Sequence, residues 1–369
     1  MSREIRIGID TSRANKSQRT GTEWYSYFLI EELKTLTHPA GREPQFILYS
    51  KHELKGPLGQ LPHNFQKKIL SWPLKLFWTQ IRLSWEMLVH PPDVLFVPAH
   101  TIPILGRCKM VMTVHDVGFR VHPELYSWLD ILYHRFSVWW ASRFACRIIV
   151  PSRFTKNELI KYYHTDPEKI VVIPHGAPAW ELKKDLVPKT NQKQQYLLFL
   201  GRLEKKKNIL RITKAFARLL PRYPALRLVL GGNPGFGFND LQNWITAQKL
   251  QDKIDFLGFV EEARKKSLYT HAAAFVFPTL YEGFGMPVLE AQSLGCPVIT
   301  SQASATAEVA RDSAVLVNPE DVADIARGIE KVLSDNEFRK ALVEKGFKNV
   351  KKYSWRQSAG RTLDVLVNS

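Results

Sequence analysis

The residues best suited to chemistry lie in YEGFGMPVLEAQSLGCPVIT, Tyr281 to Thr300, where Glu282 and Glu290 stand eight residues apart around a glycine-rich turn. Gly283 and Gly285 let the backbone take conformations closed to other residues and approach a ligand closely. Pro287 suits the first turn of a helix, where its missing N–H costs nothing, and Gly295 suits the end of that helix. First-turn N–H groups on such a helix form an anion site. Glu290, inside the helix, can accept hydrogen bonds from ribose hydroxyls, as acids do in dinucleotide-binding folds, and Glu282 can accept from sugar hydroxyls. The plainer alternative is that Glu282 caps the helix and Glu290 is a solvated surface acid.

GRLEKKKN, Gly201 to Asn208, holds the complementary charges. An arginine fork (Arg202) and a lysine point charge (Lys207) together suit a diphosphate, whose charge rises as it leaves. Asn208 fits the N-cap of a helix beginning near Ile209, and Lys205 and Lys206 read as solvated.

Both stretches need elements to hold them. Apolar strand-like runs alternate with helical patterns along nearly the whole chain: IRIGID, QFILYS, DVLFVP, MVMTVHD, RIIVPS and KIVVIPHG, then YLLFLG, LRLVLGG, KIDFLGF, AAAFVFP, PVITS and AVLVNP. Strands apolar on both faces and separated by helices predict parallel sheets covered on both sides. The polar, proline-bearing stretch 177–195 reads as a linker. The expectation is therefore an α/β protein of two Rossmann-like, doubly wound domains, residues 1–178 and 195–352, facing across a cleft, with ligands at the carboxyl ends of the strands.

Composition narrows the class further. No apolar run reaches the ~18 residues of a membrane span, and MSREIRIGID does not read as a signal peptide, so the expected location is the cytoplasm. Three scattered cysteines in apolar contexts read as buried thiols. A formal net charge of +17 admits nucleic acid, an anionic membrane or a phosphorylated substrate. The basic clusters are short and no nucleic-acid-binding signature accompanies them, so nucleic acid is not expected as a partner.

GRLEKKKN, KIDFLGFV, PTLYEGFGMPVLEAQSLGCPVIT and SATAEVARDSAVLVNPED together resemble the nucleotide-binding domain of the retaining glycosyltransferases of family 4, which have the two-domain GT-B fold. TGTEWYSY, VHDVGF, PSRFTKNEL and VIPHG carry the resemblance into the first half. It implies that Arg202 and Lys207 bind the donor diphosphate, that Glu282 works beside the transferred sugar, and that Glu290 binds the ribose. It implies too that the turn from Gly283 to Pro287 presents backbone groups to sugar and phosphate, with Phe284, Gly285, Met286 and Val288 as N–H donors because Pro287 has none. His115 matches a histidine that faces the donor sugar, with Asp116 beside it to orient it, and Gly21 lies where a glycine loop approaches the donor phosphate. A final helix at about 353–369 is implied to pack back on the first domain. No D-x-D triplet or metal-spaced cluster occurs, and neither a cofactor nor a metal is implied.

The activity so implied is retaining transfer of a hexose from a nucleotide diphosphate sugar to a glycan or lipid-linked saccharide, with mannose from GDP-mannose preferred over UDP- or dTDP-sugars. A nucleotide-sugar epimerase and a non-enzymatic polyanion binder are the other classes weighed. On the acceptor side, Leu74, Phe77, Trp78, Ile81, Trp85 and Leu88 keep helical spacing beside Lys67, Lys68, Lys75 and Arg82. The expectation is that this stripe packs on the sheet, against the alternative of an interfacial helix on an anionic membrane.

Overall fold

The computed structural model describes residues 4–17, 19–36, 43–74, 77–99, 101–178, 180 and 196–369. Most of the linker stretch, residues 181–195, and Lys75 lie outside the described residues. The chain divides into two compact units, one of Met1–Pro123, Ser127–Gly176 and Tyr353–Ser369, the other of Glu124–Tyr126 and Ala177–Lys352.

The first unit is built on seven parallel strands: β1 (Arg6–Asp10), β2 (Gln45–Ser50), β3 (Phe65–Ile69), β4 (Val94–Val97), β5 (Lys109–Thr113), β6 (Arg147–Val150) and β7 (Ile170–Val172). Their order is β3-β2-β1-β4-β5-β6-β7, so the winding reverses between β1 and β4, where Ile7 lies opposite Val94. The central strands are buried almost throughout, as a sheet covered on both faces requires. The edge strand β3 reads FQKKI and has only Phe65 buried, so alternation and apolar runs both fail to announce it. The final helix, Trp355–Val367, belongs to this unit, with the Trp355 ring 5.3 Å from Phe28 of the helix Gly21–Leu33.

The second unit repeats the plan with β8 (Tyr196–Leu200), β9 (Arg227–Gly231), β10 (Ile254–Gly258), β11 (Ala274–Phe277), β12 (Val298–Ser301) and β13 (Val315–Val317). The order β10-β9-β8-β11-β12-β13 puts its reversal between β8 and β11, with Phe275 opposite Leu198. Helix Ile209–Leu219 buries the face read from its spacing, namely Ile209, Ile212, Phe216 and Leu219. Each such side chain removed from water contributes about 1.5–3 kcal/mol, and that burial fixes the helix against the sheet.

One element departs from the sequence reading. Residues Trp78–Leu83 form a π-helical turn that continues into the helix Ser84–Val89. The wider turn rotates the following residues, so Trp78, Leu83 and Met87 are buried while Phe77, Ile81 and Trp85 point to solvent. The expected packing of the whole stripe on the sheet is thus corrected to Trp78 alone among its aromatic rings. The cysteines are free thiols, Cys296 buried and Cys108 and Cys146 half-buried.

Candidate active site

The reversal between β8 and β11 is the place in a doubly wound sheet where two neighbouring loops part and leave a crevice at the carboxyl edge. GRLEKKKN leaves β8 there and PTLYEGFG leaves β11. The two loops are joined through the backbone, with the Leu280 N–H donating to the Lys206 carbonyl at 3.0 Å. Asn208 joins them through its side chain, donating from Nδ2 to the carbonyls of Pro278 at 2.9 Å and Pro319 at 2.6 Å. It does so from a left-handed backbone (φ 64°) and makes no side-chain N-cap bond, which corrects the capping role expected of it. The reason is competition: buried carbonyls from two other loops must find donors, and the amide can reach both.

This stitching brings Lys207 and Glu282 together. The Lys207 ammonium donates to Glu282 Oε1, and both side chains are largely shielded from solvent. Lys207 also lies 5.5 Å from the centre of the Phe277 ring. Glu282 is further held by its own carbonyl, which accepts the Ala305 N–H at 3.2 Å. It therefore does not cap the following helix, whose N-cap is Gly285. An ammonium has three donors, so Lys207 can satisfy Glu282 and an anion at once.

Arg202 stands at the mouth of the same edge, its side chain 66% exposed and its Nε 3.7 Å from Glu204. Its stem packs beside Gly235 in the loop after β9. Lys205 is not simply solvated, because it pairs with Asp240 at 2.8 Å and lies over the Phe236 ring.

The turn after Glu282 is built by Gly285, which has φ 101° and ψ 52°. A Cβ there would lie 2.7 Å from Thr306 Cγ2, so the position excludes every side chain on two counts. The helix Met286–Ser293 starts from it. Among the four N–H donors expected, Val288 is committed: it donates to the Gly285 carbonyl at 3.0 Å. That bond closes the first turn and removes Val288 from the donor set. Gly283 and Phe284 are buried in the same turn, and Gly285 and Met286 open the helix.

Glu290 sits in the middle of this eight-residue helix and is no surface acid. Its Oε2 accepts the Tyr269 hydroxyl at 3.0 Å. Burial pushes the Glu290 carboxyl above its ordinary range, against the pull of the Lys265 ammonium. Burial works against the Lys265 charge as well, yet Glu290 and Glu262 hold it above its ordinary value. Tyr269, Lys265, Thr306 and Asn208 thus all support the site. Only Asn208 carried a signal at the sequence level, and that signal pointed to a different task.

In the first unit, His115 follows β5 and is 8% exposed. Its Nε2 lies 3.0 Å from the Pro98 carbonyl; a carbonyl only accepts, so the proton sits on Nε2. Burial lowers the His115 pKa, so the ring is neutral at physiological pH. Asp116 accepts the Gly118 N–H at 3.0 Å and opposes the effect of burial on His115. The rings of Tyr25 and His175 stand 4.7 and 5.5 Å from His115, and His175 stacks on Trp355. Gly21 is exposed at the first residue of the helix Gly21–Leu33. Glu23 of that helix accepts from the Thr20 N–H and from Lys16, closing the helix end with a side chain from its own first turn. Among the described residues no group of histidine, cysteine, aspartate and glutamate side chains could hold a metal ion.

Two family models cover most of the chain. Residues 182–349 match glycosyl transferases group 1, and residues 22–179 match glycosyltransferase family 4. The chain is 29% identical over 301 residues to O-antigen chain mannosyltransferase B of Escherichia coli, covering 77% of this chain and 76% of that protein. It is 29% identical over 252 residues to O-antigen chain mannosyltransferase RfbU of Salmonella typhimurium, covering 68% and 67%. The fold matches Anabaena Alr3699/HepE in complex with UDP and glucose at a TM-score of 0.74 and 18% identity, over 98% of this chain and 100% of that one. It matches WaaG, a glycosyltransferase involved in lipopolysaccharide biosynthesis, at 0.74 and 15% over the same shares. The architecture is that of GT-B glycosyltransferases.

Proposed function

Because the chain belongs to the glycosyltransferases of group 1 and family 4, we propose that it moves mannose from GDP-mannose to a glycan or lipid-linked saccharide in surface polysaccharide or lipopolysaccharide assembly. The observation that carries the reading is the direct contact of Lys207 with Glu282 at the β8–β11 reversal, beside a helix N-terminus that begins at Gly285. The mannose preference draws on the two O-antigen mannosyltransferases to which the chain is similar.

In this reading Arg202 and Lys207 hold the diphosphate, together with the N–H groups of Phe284, Gly285 and Met286, and Gly283 lets the backbone approach. Glu290 accepts from the ribose, and Glu282 orients the sugar. Gly21 and His115 are assigned to the donor phosphate and donor sugar. The bond from the anomeric carbon to the phosphate oxygen breaks, and a bond to the acceptor oxygen forms on the same face. The acceptor's proton passes to the departing phosphate oxygen, so configuration is retained. Two fixed cations serve where a divalent ion would otherwise balance the leaving diphosphate, and fixed charges cost no reorganisation during the reaction. The protein is placed in the cytoplasm, peripheral to the inner face of the membrane that carries its acceptor. The test is turnover in EDTA with the anomeric configuration of the product read by proton NMR. Retention at undiminished rate is expected; an inverted product, or activity restored only by added Mg²⁺, would overturn this chemistry.

A further inference from the structure

Helix Glu262–His271 is polar along most of its length and buries only Tyr269 and Thr270, so apolar packing does little to hold it. It nonetheless packs against the helix Met286–Ser293 that opens at the glycine turn. The reason lies on one face. Glu262, Lys265 and Tyr269 follow one another at helical spacing and so line a single side of the helix. Lys265 pairs with Glu262 at 3.0 Å, its side chain 20% exposed. The Tyr269 hydroxyl donates to Glu290 Oε2 at 3.0 Å. Its ring is fully buried, 5.2 Å from Phe275 of β11 and 6.1 Å from Trp180, and so cannot turn away. One oxygen of Glu290 is therefore fixed by the protein, and because Glu290 is only half-buried its other oxygen can accept from a ligand.

A carboxylate in this setting needs a reason to stay charged. Burial favours its neutral form, and the Lys265 ammonium is the charge that opposes burial. Glu262 acts the other way, since a second carboxylate disfavours the Glu290 charge and shares the same ammonium. Among the described residues, Lys265, Glu262 and Tyr269 are the ionisable groups that act on Glu290. Burial, Glu290 and Cys296 all keep the Tyr269 phenol protonated, so it remains a donor. The other helices beside Met286–Ser293 meet it through neutral contacts. Helix Asn336–Val350 brings the Asn349 amide to Gln292 and the Phe347 ring to Gly295, and helix Ala305–Ala310 brings Thr306 to Gly285.

We propose that Lys265 and Tyr269 are positioning residues that present Glu290 as a charged acceptor to the donor's ribose, with Glu262 as a counterweight, so that ribose recognition fails on acidification. The ribose assignment rests on the function proposed above; the coupling of the three side chains to Glu290 does not. The experiment is calorimetric titration of the full chain with GDP and with UDP, each beside its 2′,3′-dideoxy analogue, between about pH 5 and about pH 8.5. The ratio of the two affinities cancels the titration of the phosphates, which both ligands share. The wild type is expected to bind the ribonucleotide about tenfold or more tighter than its analogue at the alkaline end. That preference should fade as pH falls and Glu290 takes up its proton. Lys265→Met removes the favourable charge and should move the loss to higher pH by about one unit or more, whereas Glu262→Gln removes the unfavourable charge and should move it to lower pH. Residues that merely prop up the helix would not shift it in opposite directions. Tyr269→Phe should also move it upward, and serves if Lys265→Met does not fold. Binding with no preference over the analogue, a preference insensitive to pH, or a shift of the same sign in Glu262→Gln as in the other variants would overturn this inference and leave the diphosphate site standing. Failure of the wild type to bind either nucleotide would overturn the donor reading itself, and this inference with it.

Discussion

Lys207 and Glu282 are 75 positions apart in the chain, and their contact turns two separately ambiguous residues into one unit. A lysine in a basic loop and a glutamate before a turn are each ordinary. Held together with little solvent around them, they form a site where charge is partly balanced and one ammonium still has donors to offer. Removing Lys207 would leave the Glu282 carboxylate repelling the donor's phosphates, and removing Glu282 would free the ammonium to reorient. The effects should therefore be non-additive. Lys207→Ala and Glu282→Ala are each expected to lower kcat/KM by about a hundredfold or more. The double variant should fall well short of the product of the two losses. Independent, multiplicative losses would mean that the residues do not act as a unit.

Elements explain why some of this was legible in the sequence and some was not. The strands that carry the site are continuous apolar runs, and β8 and β11 are buried along their whole lengths, so their carboxyl edges were marked in advance. The glycine turn was legible because only glycine tolerates what Gly285 does. Gly285→Ala forces a side chain into a backbone at φ 101° and against Thr306. It is expected to cost about 1–3 kcal/mol in thermal unfolding and to raise the donor KM, and unchanged values of both would contradict the role given to the turn. What remained hidden depended on contacts between distant segments. Asn208 was read as a local cap, yet its amide reaches across to Pro278 and Pro319. Val288 was read as a donor to ligand, yet it closes its own helix turn. The edge strand β3 carries two lysines, and the π-helical turn at Trp78 rotates a face that a regular period would have buried.

At the scale of the whole molecule, the two units use the same winding, and each reverses beside its first strand. They differ in what they add to it. The second unit gathers the charged groups suited to a nucleotide diphosphate around its reversal. The first unit adds buried His115 and an exposed aromatic face on its outer helices. A formal net charge of +17 favours anionic ligands, and Arg202 and Lys207 at the second unit's reversal are where the proposed diphosphate would meet that charge. This division of labour requires that donor cleavage depend on the second unit's site and on an acceptor being present. The measurement that tests it most directly is nucleotide diphosphate release from GDP-, UDP- and dTDP-sugars in EDTA, with and without membrane-extracted acceptor, beside Glu282→Ala. Release from GDP-mannose, enhanced by acceptor and lost in the variant, is expected. Release confined to a UDP- or dTDP-sugar would contradict the donor assignment, and release indifferent to Glu282→Ala would contradict the site.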